Sequence, residues 1–207
     1  MNSNPSSYAN YVDSTMLYLF IIGFIFLFGI TITMIYFVFK YNRKKGHKPV
    51  DIHGSILLET VWFIIPLLLA MSMFYYGFIG FKKFREVPKD AMQINVTARM
   101  WNWDFVYENG LNLDTLYIPK NKSIKLNLKS NDVNHALFIP AFRIKQDVIG
   151  GKQNYMVLKA DKEGSYNIAC AEYCGLDHSG MYTKLIVLNE NDFNKWYEEQ
   201  KSKIASK

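Results

Sequence analysis

Two stretches of this chain carry no charged residue at all: residues 16–39, a run of 24, and residues 61–81, a run of 21. A helix needs about 20 apolar residues to cross the hydrocarbon core of a bilayer, and backbone that enters lipid must satisfy its N–H and C=O groups internally. The runs therefore predict two membrane helices, at about residues 16–40 and 57–81. A secretory signal peptide fits the first run less well, because no basic segment precedes it and an apolar signal core spans only about 7–15 residues. Half of the residues are hydrophobic although the mean hydropathy is close to zero. The chain is thus segregated into a membrane part, residues 1–90, and a soluble part, residues 91–207.

The basic residues orient the hairpin. Lys40, Arg43, Lys44, Lys45 and Lys48 lie in or beside the connecting loop, whereas the first fifteen residues hold neither Lys nor Arg. Cytoplasmic loops are enriched in these cations, so the loop is expected inside and both termini, with the soluble part, outside. Lys82, Lys83 and Arg85 after the second run argue mildly the other way. Much of the net charge of +6 lies in these flanks and reads as membrane topology, not as nucleic-acid binding. Residues 91–207 carry 15 Lys and Arg against 13 Asp and Glu, too even a balance for strong steering of a basic partner.

From about Met92 the pattern changes to short alternating segments. Residues 124–128 alternate apolar and polar with the period of a half-buried strand, and residues 155–158 and 185–188 look like more buried ones. Turn residues separate them at 108–110, 130–132, 150–151 and 163–164. Many short strands with turns between them predict an all-β antiparallel sandwich or barrel. A helix is expected from Asn191, capped by Asn191 or Asp192, with Phe193, Trp196 and Tyr197 on one face.

Two thiols, an imidazole and a thioether fall within twelve residues of one loop: Cys170, Cys174, His178 and Met181. Soft ligands of this kind select copper, whereas calcium or magnesium would be held by oxygens. Two cysteines in an exported domain most often form a disulfide, yet a disulfide has no use for the histidine and the methionine. Zinc could take the two cysteines, His178 and a remote His135 in a tetrahedron, but it gives Met181 no role. A single blue copper needs one cysteine, so the second thiolate argues for two metal ions sharing bridging sulfurs. His135, isolated beside Ala136, Leu137 and Phe138, reads equally well as a ligand or as a buried structural residue.

With those residues in view, the chain resembles subunit II of the haem-copper cytochrome c oxidases over nearly its whole length. Its C-x-E-x-C-x-x-x-H-x-x-M segment and the upstream His135 match that family's ligands for the dinuclear copper centre CuA. The resemblance implies a two-helix hairpin followed by an exported cupredoxin-like Greek-key domain. It further implies that Cys170 and Cys174 bridge two coppers. His135 and Met181 would complete one copper, and His178 with the backbone carbonyl of Glu172 the other. The segment around His135, continuing through residues 140–147, is similar to the family's, with one departure: Gly150 stands where the family commonly has proline.

Three further roles follow from the resemblance. Trp101, in Trp101-Asn102-Trp103-Asp104-Phe105, occupies the position that receives electrons from cytochrome c; the family often has an aromatic where Asn102 sits. Glu59, at the start of the second helix, matches a glutamate at the mouth of a proton path. The side chain of Glu172 matches a magnesium ligand at the boundary with the catalytic subunit. The expected function is therefore the electron-input subunit of an oxidoreductase, with subunit I and subunit III as partners and oxygen reduction and proton translocation in subunit I. Neither apolar run contains a histidine and no C-x-x-C-H is present, so haem and donor are expected on other chains. All six ligand positions are filled, against the copper-free quinol-oxidase version of the subunit. The expected location is the bacterial plasma membrane, with the mitochondrial inner membrane as the alternative. His47 and His53 are expected to be solvated.

Overall fold

The computed structural model describes residues 4–46, 48, 50–51 and 53–205. Two long helices, α1 (Ser7–Lys40) and α2 (Ile56–Arg85), contain the two uncharged runs and extend beyond them. Both are long and apolar enough to cross a membrane. Large apolar side chains such as Phe28, Ile32, Leu68 and Phe74 are exposed, a surface suited to lipid and not to water. Polar groups within the helices are absorbed locally. The hydroxyls of Thr33, Thr60 and Ser72 donate to the carbonyls of Gly29, Ile56 and Leu69, and Tyr18 Oη lies 2.6 Å from Ser72 Oγ across the hairpin. His53 is exposed, and His47 lies outside the described residues.

The chain forms two compact units, Asp13–Gly80 and a second made of Met1–Val12 with Phe81–Lys207. The second unit holds a β-sandwich. One sheet contains β1 (Met92–Arg99), β2 (Asn102–Tyr107), β3 (Asn112–Leu113), β5 (Ser123–Ser130) and β8 (Asn154–Lys159), in the order β3-β2-β1-β5-β8. The other contains β4 (Leu116–Pro119), β6 (His135–Ile139), β7 (Ile144–Val148), β9 (Gly164–Cys170) and β10 (Tyr182–Leu188), in the order β4-β10-β9-β6-β7. Alternation does the sorting: Ile94, Val96 and Ala98 of β1 and Ile124, Leu126 and Leu128 of β5 turn inward and are buried, while Gln93, Lys125 and Asn127 turn outward. Each buried Ile, Leu or Val side chain contributes about 1.5–3 kcal/mol by leaving water.

Two features correct the sequence reading. The sheets are mixed, because β1 pairs with β5 and β4 with β10 in parallel. The chain leaves the first sheet after β3, adds β4 to the second and returns as β5, and hydrophobic period carries no record of that crossing. The closing helix, α3 (Glu190–Ala205), starts before Asn191. Its cap is Asn189, whose Oδ1 accepts from the N–H of Asp192 at 2.9 Å while its amide donates to Asp192 Oδ2 at 2.6 Å, a reciprocal pair that satisfies a bare helix-end donor. Phe193, Trp196 and Tyr197 do share a face, with Trp196 stacked on Tyr117 at 4.4 Å. The β1–β2 turn, the β5–β6 loop and the β9–β10 loop meet at one end of the sandwich, and the metal-ligand candidates lie there.

Candidate metal centre

β9 ends at Cys170, and residues 171–181 form a loop that returns into β10. Backbone bonds close it: Cys170 N–H donates to Met181 O at 3.1 Å and Ala171 N–H to Ala136 O at 3.0 Å, which ties the loop to the strand that begins with His135. The two thiols are free and their sulfurs are 3.8 Å apart. Two sulfurs held about 2.3 Å from one ion at a tetrahedral angle stand about 3.8 Å from each other, so the pair has the spacing of shared ligands.

The other donors surround this pair. His135 Nδ1 is 3.8 Å from Cys170 Sγ, and the Cys170 thiol also meets the Glu172 carbonyl oxygen at 3.3 Å. His178 Nδ1 is 3.5 Å and Met181 Sδ 3.7 Å from Cys174 Sγ. Each sulfur is thus flanked by one imidazole nitrogen and one further donor. His135 and Met181 are fully buried, and the donor atoms of His135, Cys170 and Cys174 all lie within 4.8 Å of one another. Burial, reinforced by the neighbouring Cys170, pushes the Cys174 thiol up to about 11. A metal entering here must displace protons from the thiols. The donor set fits soft, thiolate-bound copper, and it offers no cluster of oxygens for a hard ion.

Asp132, in the β5–β6 loop, is a residue that the sequence reading left without a role. Its Oδ1 is 2.8 Å from His135 Nε2 and accepts from Val133 N–H at 2.7 Å, and its Oδ2 accepts from Met100 N–H at 2.7 Å. Burial opposes its ionisation, but the bonds from His135, Met100 and Val133 outweigh burial and hold the carboxyl below its ordinary range. Its place three residues before His135 was the one signal available in the sequence. The buried Trp103 ring also meets the imidazole of His135 edge-on at 6.1 Å.

Trp101 is 36% exposed. Its indole N–H donates to the Cys174 carbonyl oxygen at 3.2 Å, so the ring rests on the backbone between the cysteines and the next residue. Gly175 permits that approach: at φ +114° it adopts a conformation side chains rarely take, and a Cβ there would stand 3.4 Å from the indole. The rest of the aromatic segment is different, since Trp103 and Phe105 are buried in the core. The apolar surface beside Trp101 comes instead from Met100, Val133, Tyr173 and Leu176, all exposed. The Glu172 side chain is exposed as well. Glu59 belongs to the other unit, exposed in the first turn of α2, and its N–H donates to Ser55 O at 2.9 Å.

Comparison with known proteins gives concordant matches. The family described as cytochrome C oxidase subunit II, periplasmic domain, matches residues 76–189, and that family's transmembrane domain matches residues 3–79. Cytochrome c oxidase subunit 2 of Alkalihalophilus pseudofirmus is 33% identical over 190 residues, covering 86% of this chain and 56% of the relative. The alternative cytochrome c oxidase subunit 2 of Bradyrhizobium diazoefficiens is 29% identical over 93% of this chain and 81% of its own. The chain therefore spans little more than half of the first relative and most of the second. The crystal structure of the periplasmic domain of subunit II of cytochrome oxidase from Bradyrhizobium japonicum superposes with a TM-score of 0.53 at 32% identity, covering 57% of this chain and 99% of that one.

Proposed function

Because this chain belongs to the cytochrome c oxidase subunit II family, we propose that it is the electron-input subunit of a haem-copper oxidase, anchored in the membrane by residues 1–90 and binding copper through residues 91–207. The observation that carries the reading is the convergence of two sulfurs, two imidazole nitrogens, a thioether and a carbonyl oxygen at one end of the sandwich. The ligands would be Cys170 and Cys174 as bridges, His135 with Met181 on one copper, and His178 with the Glu172 carbonyl on the other.

When bound, copper held by these thiolates, imidazoles and thioether would supply one-electron relay chemistry. The chain's own residues do the rest. Burial of His135 and Met181 keeps water from the ligands, which lowers the cost of rearrangement when charge moves. Trp101 offers an exposed π-system to a docked cytochrome c and a direct hydrogen bond to the Cys174 carbonyl, so the electron enters through a contact already made. Met100, Tyr173 and Leu176 would form the apolar part of that docking surface.

From the centre the electron would pass to haem in subunit I, where oxygen is reduced to water with proton translocation; subunit III would complete the core. Glu172 reaches outward with a free carboxylate, suited to a magnesium ion shared with subunit I. Glu59 would receive protons at the inner end of α2, since a carboxylate at the edge of a span normally faces protein or water. The membrane would be the bacterial plasma membrane, with the mitochondrial inner membrane as the alternative. Electron paramagnetic resonance on the copper-loaded full chain in detergent tests the central point. An unpaired electron shared by two equivalent copper nuclei is expected. A single-copper pattern, or no copper bound after reduction and reconstitution, would overturn it.

A further inference from the structure

The loop before β6 does more than deliver His135. Asp132 accepts hydrogen bonds on both carboxylate oxygens from groups that belong to different parts of the site: His135 Nε2 at 2.8 Å and Val133 N–H at 2.7 Å on Oδ1, and Met100 N–H at 2.7 Å on Oδ2. A carboxylate can only accept, so the ring proton of His135 is held on Nε2, and Nδ1, which faces Cys170 Sγ at 3.8 Å, presents its lone pair. Met100 is the residue before Trp101, whose indole already bonds Cys174 O. Ser130 braces the carboxylate, its Oγ accepting from Asp132 N–H at 3.2 Å and standing 3.4 Å from Oδ1. The loop is closed from the far side by Gly150, where a Cβ would stand 2.7 Å from the Asp132 carbonyl oxygen.

We infer that Asp132 is the positioning residue of this centre: one carboxylate that fixes the metal-binding tautomer of His135 and at the same time holds the backbone leading into Trp101. The inference rests on the copper-relay reading for its purpose, though not for its geometry. Its consequence is that one group sets both ligand orientation and the backbone that carries electron entry. Asparagine does not replace it. All three hydrogen-bonding partners are donors, so an amide must turn its NH₂ either toward Met100 N–H or toward Val133 N–H and His135. It keeps one side of the bridge and repels the other. Such outer partners of a metal-bound histidine are worth about 10–100-fold in metal affinity.

The test uses the full chain in detergent as wild type, Asp132→Asn and Asp132→Ala. In the metal-free chain, ¹⁵N resonances of the His135 ring, assigned by their loss in His135→Gln, report which nitrogen carries the proton. Copper titration of the same samples reports affinity and stoichiometry. Wild type is expected to hold the proton on Nε2. Asp132→Ala is expected to give a mixture of tautomers and to bind copper about 10–100-fold more weakly, and Asp132→Asn to lose less affinity while the indole contact with the cysteine loop loosens, read as faster hydrogen exchange at the Trp101 indole N–H. If both variants keep the wild-type tautomer and copper affinity, the inference is overturned. Should Asp132→Ala not fold, the nearly isosteric asparagine variant decides alone. A wild-type chain that takes up one copper or none would remove the relay reading, and the ring-proton measurement would still judge Asp132.

Discussion

At the scale of single residues, the site depends on positions where something small or polar lets two backbones approach. Gly150 is such a position: the Asp132 carbonyl oxygen occupies the space a Cβ would need, and Gly150 N–H donates to Asn134 Oδ1 at 3.2 Å. Because the obstructing atom is backbone, Gly150→Ala must displace the Asp132 loop, and overpacking of this kind costs about 1–3 kcal/mol. A lower urea midpoint together with weaker copper binding is the expected pair of results; a fully stable variant with unchanged copper affinity would show that the loop can yield freely. Trp101→Ala removes the exposed π-system, and with it the hydrogen bond to the Cys174 carbonyl, while leaving every proposed ligand atom in place. In the assembled oxidase it should slow electron entry from reduced cytochrome c by about tenfold or more, equivalent to about 1.4 kcal/mol of barrier, and leave the copper spectrum intact. Rapid-mixing kinetics at low ionic strength would measure this, and an entry rate equal to wild type would remove Trp101 from the path.

At the scale of elements, α3 is held on the sandwich by aromatic contacts that converge on one buried phenol. Tyr107, on β2, donates its hydroxyl to Tyr117 O and accepts from Tyr117 N–H, both at 2.8 Å, and its ring meets Trp196 at 5.9 Å and Tyr197 at 6.0 Å. Burial raises its pKa above the ordinary tyrosine value, outweighing the bond from Tyr117 N–H. The folded group is thus the weaker acid, so its stabilising contribution is whole below about pH 10 and is lost as pH rises toward the folded value. Tyr107→Phe leaves both backbone groups of Tyr117 unpaired and should destabilise the domain by about 1–3 kcal/mol. Relative to wild type, the variant should also lose less stability between pH 9 and 11. A variant whose urea curves parallel those of wild type through that range would exclude the phenol as the source of alkaline sensitivity. The elements themselves were legible in very unequal degree. The twelve-residue segment that carries most ligands is local, so Cys170, Cys174, His178 and Met181 could be read directly, as could the strands that alternate. The parallel pairing of β1 with β5, the role of Asp132 and the seat of Trp101 on Gly175 depend on which loops meet at the end of the sandwich. Periodicity is blind to that.

At the scale of the whole molecule, the beginning of the chain is bonded into the unit that carries the metal centre. Ser6 is fully buried, its hydroxyl donates to Lys159 O at 2.8 Å, and Asp161 N–H donates to Pro5 O at 2.8 Å. The Asp161 carboxylate accepts from Ser7 N–H, so the first turn of α1 is capped by a residue from the β8–β9 turn, favourably placed against the positive end of the helix. Nothing in the local sequence announces a cap 154 positions away. The cations at the end of α2 are drawn to the same unit: Arg85 lies 4.0 Å over the Tyr155 ring and bonds Gln146 and the Tyr155 carbonyl, and Lys83 lies over Tyr11. These contacts give Lys83 and Arg85 a structural role within the unit, separate from the charge asymmetry that orients the hairpin by expectation. Residues 5–9 and the β-sandwich share one unit, so with both apolar helices spanning the membrane, as their length and composition allow, the basic loop is predicted on the other face of the bilayer from that unit. In sealed right-side-out vesicles, trypsin should therefore cut at domain lysines such as Lys162 and spare the loop. In inverted vesicles it should cut the loop at Arg43–Lys45 and leave the domain whole. Loop cleavage in right-side-out vesicles would invert the topology and, with it, remove the exposed face that an external electron donor requires.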